Sequence, residues 1–75
     1  MPPKGIGLRI RERRLQLGLT PDVAGALAGI SGSHWRTIEM LHDFRRPARL
    51  TEIARALRTT ERALLGETEG EQTAT

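Results

Sequence analysis

The stretch that decides the fold is TPDVAGALAGISGSHWRTIE, residues 20–39. Thr20 has a side chain that caps helix N-termini, and Pro21 has the φ angle that the first helical position needs. Gly29 can adopt a positive φ without a Cβ penalty, so the chain can leave a helix there and turn sharply. These residues predict a short helix over Pro21–Ala28, followed by a tight turn.

A second helix follows that turn. Ser31 is a suitable N-cap, and the pattern predicts a helix over residues 32–41. Trp35 and Ile38 are three residues apart and share one helical face, which we expect to be buried. The polar residues of the same helix point elsewhere; they are Ser33, Arg36 and Thr37. The stretch therefore predicts a helix, a turn and a second helix with one buried and one polar side.

The rest of the chain also reads as helical. Further helices are predicted over residues 7–17, 48–57 and 61–65. Gly18 ends the first of these, and Thr60 caps the last. No run of alternating β-formers predicts a strand. The predicted fold class is therefore all-α, a compact bundle of five helices.

The 75 residues and 37% hydrophobic content fit one small domain with a modest core. We expect a flexible N-terminal arm over residues 1–5, the folded domain over residues 6–66, and a disordered acidic tail over residues 67–75. A large active-site cavity is not expected in a chain of this size.

Several function classes find little support in the residues. The chain has no Cys, and His34 and His42 have no nearby partners with metal-ligand spacing. No nucleophile turn and no phosphate-binding glycine loop is present. We therefore expect no enzymatic activity, no cofactor, no metal and no small-molecule ligand. No apolar run is long enough to cross a bilayer, so we expect a cytoplasmic protein that does not contact membranes.

The positive charge is concentrated in the predicted domain. Residues 1–66 carry all 12 Lys and Arg residues against six Asp and Glu, a net charge of +6, and every base except Lys4 is Arg. Arginine binds phosphate oxygens and the guanine edge with two parallel hydrogen bonds, which makes a polyanion a natural partner. A well-solvated surface explains the charge equally well.

With these features the chain resembles the Cro and phage-repressor family of helix-turn-helix domains, also called XRE-like. The resemblance covers residues 6–66, and the matching positions are Ile10-Arg11, Arg14, residues 16–20, residues 29–31, Ile38-Glu39, Leu50, Ile53-Ala54, Ala56-Leu57 and Leu64-Leu65. It implies a five-helix DNA-binding domain whose third helix lies in the major groove. The implied function is sequence-specific binding of double-stranded DNA as a transcriptional regulator, in particular a repressor.

The resemblance also implies a role for particular residues. The positions that touch base edges are Gly32, Ser33, Arg36 and Thr37. The residues expected at DNA phosphates are Thr20, His34, Arg45 and Arg46. Arg14 and Glu39 are expected to form a partly buried ion pair between the first and third helices.

The chain departs from the family pattern at three places. Pro21 stands where the family commonly has a Gln that contacts phosphate. Gly32 offers no side chain at a usual reader position, so DNA shape is expected to supply part of the specificity. Met40-Leu41 replaces the usual Gly after the third helix, which is why that helix is expected to continue for another turn.

The register of the second helix is open. In the ungapped register, Ala24, Gly25 and Ala28 are core, and Val23 and Leu27 lie outside. Sliding the helix by one residue buries Val23, Ala24 and Leu27. We favour burial of Val23 and Leu27, because apolar residues at this spacing are usually core; if exposed, they form a candidate protein-binding patch.

Three further alternatives stay open. The helix-turn-helix frame is also suited to a protein-interaction module that binds a polymerase subunit, a toxin or a larger regulator with weak or no base reading. The chain is also consistent with the DNA-binding part of a longer regulator. Phe44 is expected to be buried, with a contact in a homodimer or to a protein partner as the alternative.

Overall fold

The computed structural model describes residues 5–43 and 45–66. Within them the chain forms five helices and no strand: α1 (Ile6–Gln16), α2 (Pro21–Ala28), α3 (Gly32–Glu39), α4 (Leu50–Ala56) and α5 (Glu61–Leu64). The all-helical fold class is therefore confirmed. The predictions for Phe44, for most of the arm and for the acidic tail lie outside the described residues. None of these helices is both long and apolar enough to cross a bilayer.

The helix starts follow the predicted caps. The side-chain oxygens of Thr20, Ser31 and Thr60 each accept a hydrogen bond from the backbone N–H three residues further on, over 3.2, 3.0 and 3.1 Å. Gly29 ends α2 with φ 78° and ψ 26°. Local sequence therefore sets both ends of α2 and the start of α3.

The core draws buried side chains from all five helices. Its largest fully buried side chains are Trp35, Ile6, Ile10, Ile53 and Leu57. α2 packs against α3 and α4, and α1 packs against α3 and α5. Ile38 is also buried, so the predicted inner face of α3 is confirmed.

α3 is shorter than predicted and ends at Glu39 rather than at residue 41. The segment after it supplies acceptors for the start of α1: Gly7 N–H donates to the Leu41 carbonyl over 3.0 Å, and Ile6 N–H donates to the Asp43 carbonyl over 2.9 Å. The first N–H groups of a helix have no partner within the helix. After Glu39 the chain therefore leaves the helix and satisfies two N–H groups at the start of α1.

Gly5, which the sequence analysis assigned to the arm, is buried in the domain. A Cβ atom added at Gly5 would collide with the backbone of His42, and one added at Gly7 would collide with the Glu39 carbonyl. The N-terminus of α1 therefore approaches the segment after α3 backbone to backbone.

α4 begins at Leu50, two residues later than predicted. Arg49 precedes it with φ 70°, a left-handed conformation that cannot continue into a right-handed helix. The predicted start at residue 48 was therefore wrong.

The favoured register of α2 was also wrong. Val23 and Leu27 are 48% and 60% exposed, and the buried positions are Ala24, Gly25 and Ala28. A Cβ atom on Gly25 would lie 2.9 Å from the Ile30 carbonyl oxygen. Because the turn backbone comes this close to α2, only small side chains fit on its inner face, and the larger apolar residues face outward.

Candidate nucleic-acid interface

The outer face of α3 is polar. Ser33, Arg36 and Thr37 are exposed, and Gly32 is partly exposed at the start of the helix. The Thr37 hydroxyl donates to the Ser33 carbonyl over 3.2 Å, which leaves its oxygen lone pairs directed outward as acceptors. Hydroxyls and a guanidinium are the groups that bind the edges of base pairs.

Behind this face, α3 is held by Glu39. Arg14 Nε donates to Glu39 Oε2 over 2.6 Å, and Arg14 Nη2 donates to Glu39 Oε1 over 3.2 Å. Trp35 Nε1 donates to the same carboxylate over 2.5 Å, and Arg14 Nη1 donates to the Leu19 carbonyl over 2.8 Å. Arg14 and Glu39 thus form a bidentate ion pair, and the Glu39 carboxylate also accepts a hydrogen bond from the Trp35 indole N–H.

This network is buried, with the side chains of Arg14 and Glu39 each only 9% exposed. Desolvation of the two charges offsets much of their attraction, so the pair adds less stability than its short distances suggest. Its geometry joins α1, the turn before α2 and the last turn of α3. We interpret it as a device that sets the rotation of α3 about its own axis, and so the direction of the polar face.

The first turns of α2 and α3 carry two of the residues predicted at phosphates. Thr20 and His34 are both exposed. Thr20 is already the N-cap of α2, while the His34 backbone N–H donates to the Ser31 cap. Both side chains lie next to helix N-termini, where the partial positive charge favours anions.

The two loop arginines differ in their surroundings. The Arg45 side chain is 89% exposed, with Nε 3.4 Å from Asp43 Oδ2. Arg46 pairs instead with Glu61 of α5, which also accepts a hydrogen bond from the Thr51 hydroxyl over 2.6 Å. Arg45 therefore has the more accessible guanidinium, whereas Arg46 joins the loop to α5.

Sequence reasoning did not find the role of Arg13. Its Nε donates to the Leu57 carbonyl over 2.9 Å, and its Nη2 donates to the Arg58 carbonyl over 3.2 Å. The last carbonyls of a helix have no partner within the helix, and Arg13 satisfies two groups at the end of α4. No spacing in the sequence signals this contact, because the residues are more than 40 positions apart.

Asp22 was also missed as part of this surface. Its carboxylate Oδ1 lies 3.5 Å from Arg36 Nη2, and the two side chains are 74% and 56% exposed. A Cβ atom built on Gly32 would fall on the same carboxylate. In the sequence, the glycine at position 32 was the available sign that another side chain lies beside the start of α3.

The described residues do not suggest metal chemistry. Within residues 5–43 and 45–66, no three His, Asp or Glu side chains are grouped closely enough to hold a metal ion. The surface around α3 instead combines one guanidinium, two hydroxyls and nearby arginines. Its chemistry is that of hydrogen bonding and charge pairing.

In comparisons with known proteins, the sequence matches no family profile and no curated protein. The interpretation of this surface therefore rests on its residues and their geometry.

Proposed function

We propose that the protein binds double-stranded DNA in a sequence-specific manner and acts as a transcriptional repressor, as the resemblance to the Cro and phage-repressor family implies. One observation carries the proposal. α3 exposes Ser33, Arg36 and Thr37 while its opposite side is anchored by Trp35 and Ile38. A rigidly held helix with a polar outer face is what major-groove reading requires.

The dimensions support the same interpretation. A helix with its side chains is about 10–12 Å across, so α3 fits into the major groove of B-DNA, which is about 12 Å wide. In such a groove Arg36 is suited to donate two hydrogen bonds to guanine O6 and N7. The Ser33 hydroxyl can donate or accept, whereas the Thr37 hydroxyl, which donates to the Ser33 carbonyl, is available as an acceptor.

Charge supports a phosphate contribution. Arg45 is nearly fully exposed in the loop after α3, and the first 66 residues carry a net charge of +6. Binding to phosphates releases counterions, so the affinity is expected to fall steeply as salt increases. In this proposal Arg45 positions the protein, and α3 selects the sequence.

Selection from random-sequence duplex DNA, performed on the full chain, tests the proposal. We expect an enriched motif whose affinity falls between about 50 and about 200 mM salt. In this assay Arg45→Ala should weaken binding to all duplexes and reduce the salt slope by about 1. A selection that enriches no motif would refute the proposal, even if duplex DNA is protected at low ionic strength.

A protein-interaction module is the second candidate function. It is favoured by the exposure of Val23 and Leu27, which form an apolar pair one turn apart on α2. In that case the helix-turn-helix frame presents α2 to a polymerase subunit, a toxin or a larger regulator. A partner whose binding is lost in Leu27→Ala, together with no enriched DNA motif, would support this candidate.

A further inference from the structure

The first residue of α3 has no side chain, and a side chain from α2 occupies the space beside it. Gly32 is the first residue of α3, and a Cβ atom there would fall on Asp22 Oδ1 and lie 2.9 Å from Asp22 Cγ. Asp22 belongs to the first turn of α2. The volume that a side chain at position 32 would fill is therefore filled by a carboxylate from the neighbouring helix.

Helix stability explains only part of this arrangement. An acidic residue in the first turn is favourable for α2. That preference does not account for a glycine at position 32, which costs α3 up to about 1 kcal/mol of helix propensity relative to Ala. The contact between Asp22 and Arg36 adds little either, because both groups are more than half exposed and solvent screens them.

The arrangement makes chemical sense as part of a base-reading surface. An ionised carboxylate accepts hydrogen bonds and cannot donate them, whereas the adjacent Arg36 donates and cannot accept. In the major groove cytosine presents its N4 amino donor, and guanine presents the O6 and N7 acceptors. The two side chains together therefore complement a cytosine and a guanine, and the carboxylate repels phosphate.

We propose that Asp22 is a specificity-determining residue of the DNA interface, which replaces the reader missing at Gly32 by accepting a hydrogen bond from a cytosine amino group. This inference rests on the proposed function. It assigns to α2 a direct role in base selection, with the Asp22 carboxylate in the space beside Gly32. Removing the carboxylate charge should relax selection and strengthen binding to unrelated duplexes.

Asp22→Ala, which removes both carboxylate oxygens, tests this role in the full chain by random-sequence selection followed by titration against the selected site and an unrelated duplex. We expect the cytosine preference to disappear at one base pair of the motif. The ratio of specific to non-specific affinity should fall about tenfold, the scale of one good base contact. Gly32→Ala should produce the same loss at the same base pair, because its Cβ displaces the carboxylate.

Asp43→Ala is the matched control, since it also removes one exposed carboxylate that pairs with an arginine. It should alter affinity for all duplexes and leave the motif unchanged. The proposal is overturned if Asp22→Ala retains the wild-type motif, whether or not it binds all duplexes more tightly. A wild-type chain that selects no motif refutes the proposed function instead, so the two failures are distinguishable.

Discussion

α2 and α3 are both eight residues long and pack against each other, yet they distribute their side chains in opposite ways. α2 buries Ala24 and Ala28 and exposes Val23 and Leu27. α3 buries its largest side chain, Trp35, and exposes polar residues. The inner face of α2 is thus built of small groups, whereas that of α3 is built of large ones.

The difference shows that burial here follows the space between backbones rather than hydrophobicity alone. α2 lies so close to the turn at Ile30 that a single Cβ on Gly25 has no room. α3 packs against α1 and α2 and buries the whole indole of Trp35. The same closeness that excludes large groups from beneath α2 brings Asp22 over the first turn of α3.

The largest expected effect concerns the inner side of α3. Glu39→Ala leaves Arg14 buried without its charge partner and removes the acceptor of the Trp35 indole N–H. We expect a loss of about 3–5 kcal/mol in the free energy of unfolding, enough to abolish cooperative folding in a domain of this size. Urea denaturation followed by Trp35 fluorescence measures it. Asp22→Asn, in an exposed pair, should cost less than about 1 kcal/mol; equal losses would remove the distinction between the two sides of α3.

The next effect compares apolar residues across the two helices. Ile38→Ala in α3 removes a buried side chain and should cost about 2–5 kcal/mol in unfolding free energy. Leu27→Ala in α2 removes an exposed side chain of the same number of carbons and should change the unfolding free energy by no more than about 0.5 kcal/mol. Thermal and urea unfolding of both variants provide the measurement. A cost for Leu27→Ala similar to that for Ile38→Ala would show that α2 buries its large residues after all.

Gly25→Ala probes the space beneath α2. Alanine normally gains about 1 kcal/mol over glycine within a helix, but here its Cβ would lie 2.9 Å from the Ile30 carbonyl oxygen and 3.0 Å from that of Ser31. We expect a net destabilisation of about 1–3 kcal/mol, because α2 and the turn must separate. Ala26→Gly, at an exposed position of the same helix, reports the propensity difference alone. A stabilised Gly25→Ala variant would contradict the close approach.

The smallest expected effect concerns the outer faces. Thr37→Ala should reduce the free-energy difference between the preferred and other bases at one position of the DNA motif by about 1 kcal/mol, without altering the free energy of unfolding. Leu27→Ala should leave both the motif and the affinity unchanged, since its side chain lies on α2 away from the polar face. Competition binding with single-base variants of the selected site measures both. A change of motif in Leu27→Ala but not in Thr37→Ala would reverse the roles given to the two helices.

Sequence reasoning succeeded where neighbouring residues decide the outcome. Thr20 and Ser31 cap the N–H three residues ahead, and Gly29 needs only its own φ angle to end α2. The inner face of α3 follows from the spacing of Trp35 and Ile38. It failed at the end of α3, where the following segment contacts the distant backbone of α1. It also failed at the inner face of α2, where the turn at Ile30 comes back against Gly25.

The candidate interface divides in the same way. The sequence predicts that residues 33, 36 and 37 share the outer face of α3, because helical periodicity places them there. It also shows the excess of arginine, because net charge is a sum over residues. The contacts of Arg13, Arg46 and Asp22 cannot be predicted in this way, because each has a partner at least ten positions away in the sequence. Those contacts exist only after packing has set the distances between helices. The sequence by itself thus determines the helices and the turn through caps, periodicity and glycine. Only the packing of the helices determines which charged side chains stay exposed and unpaired by distant residues.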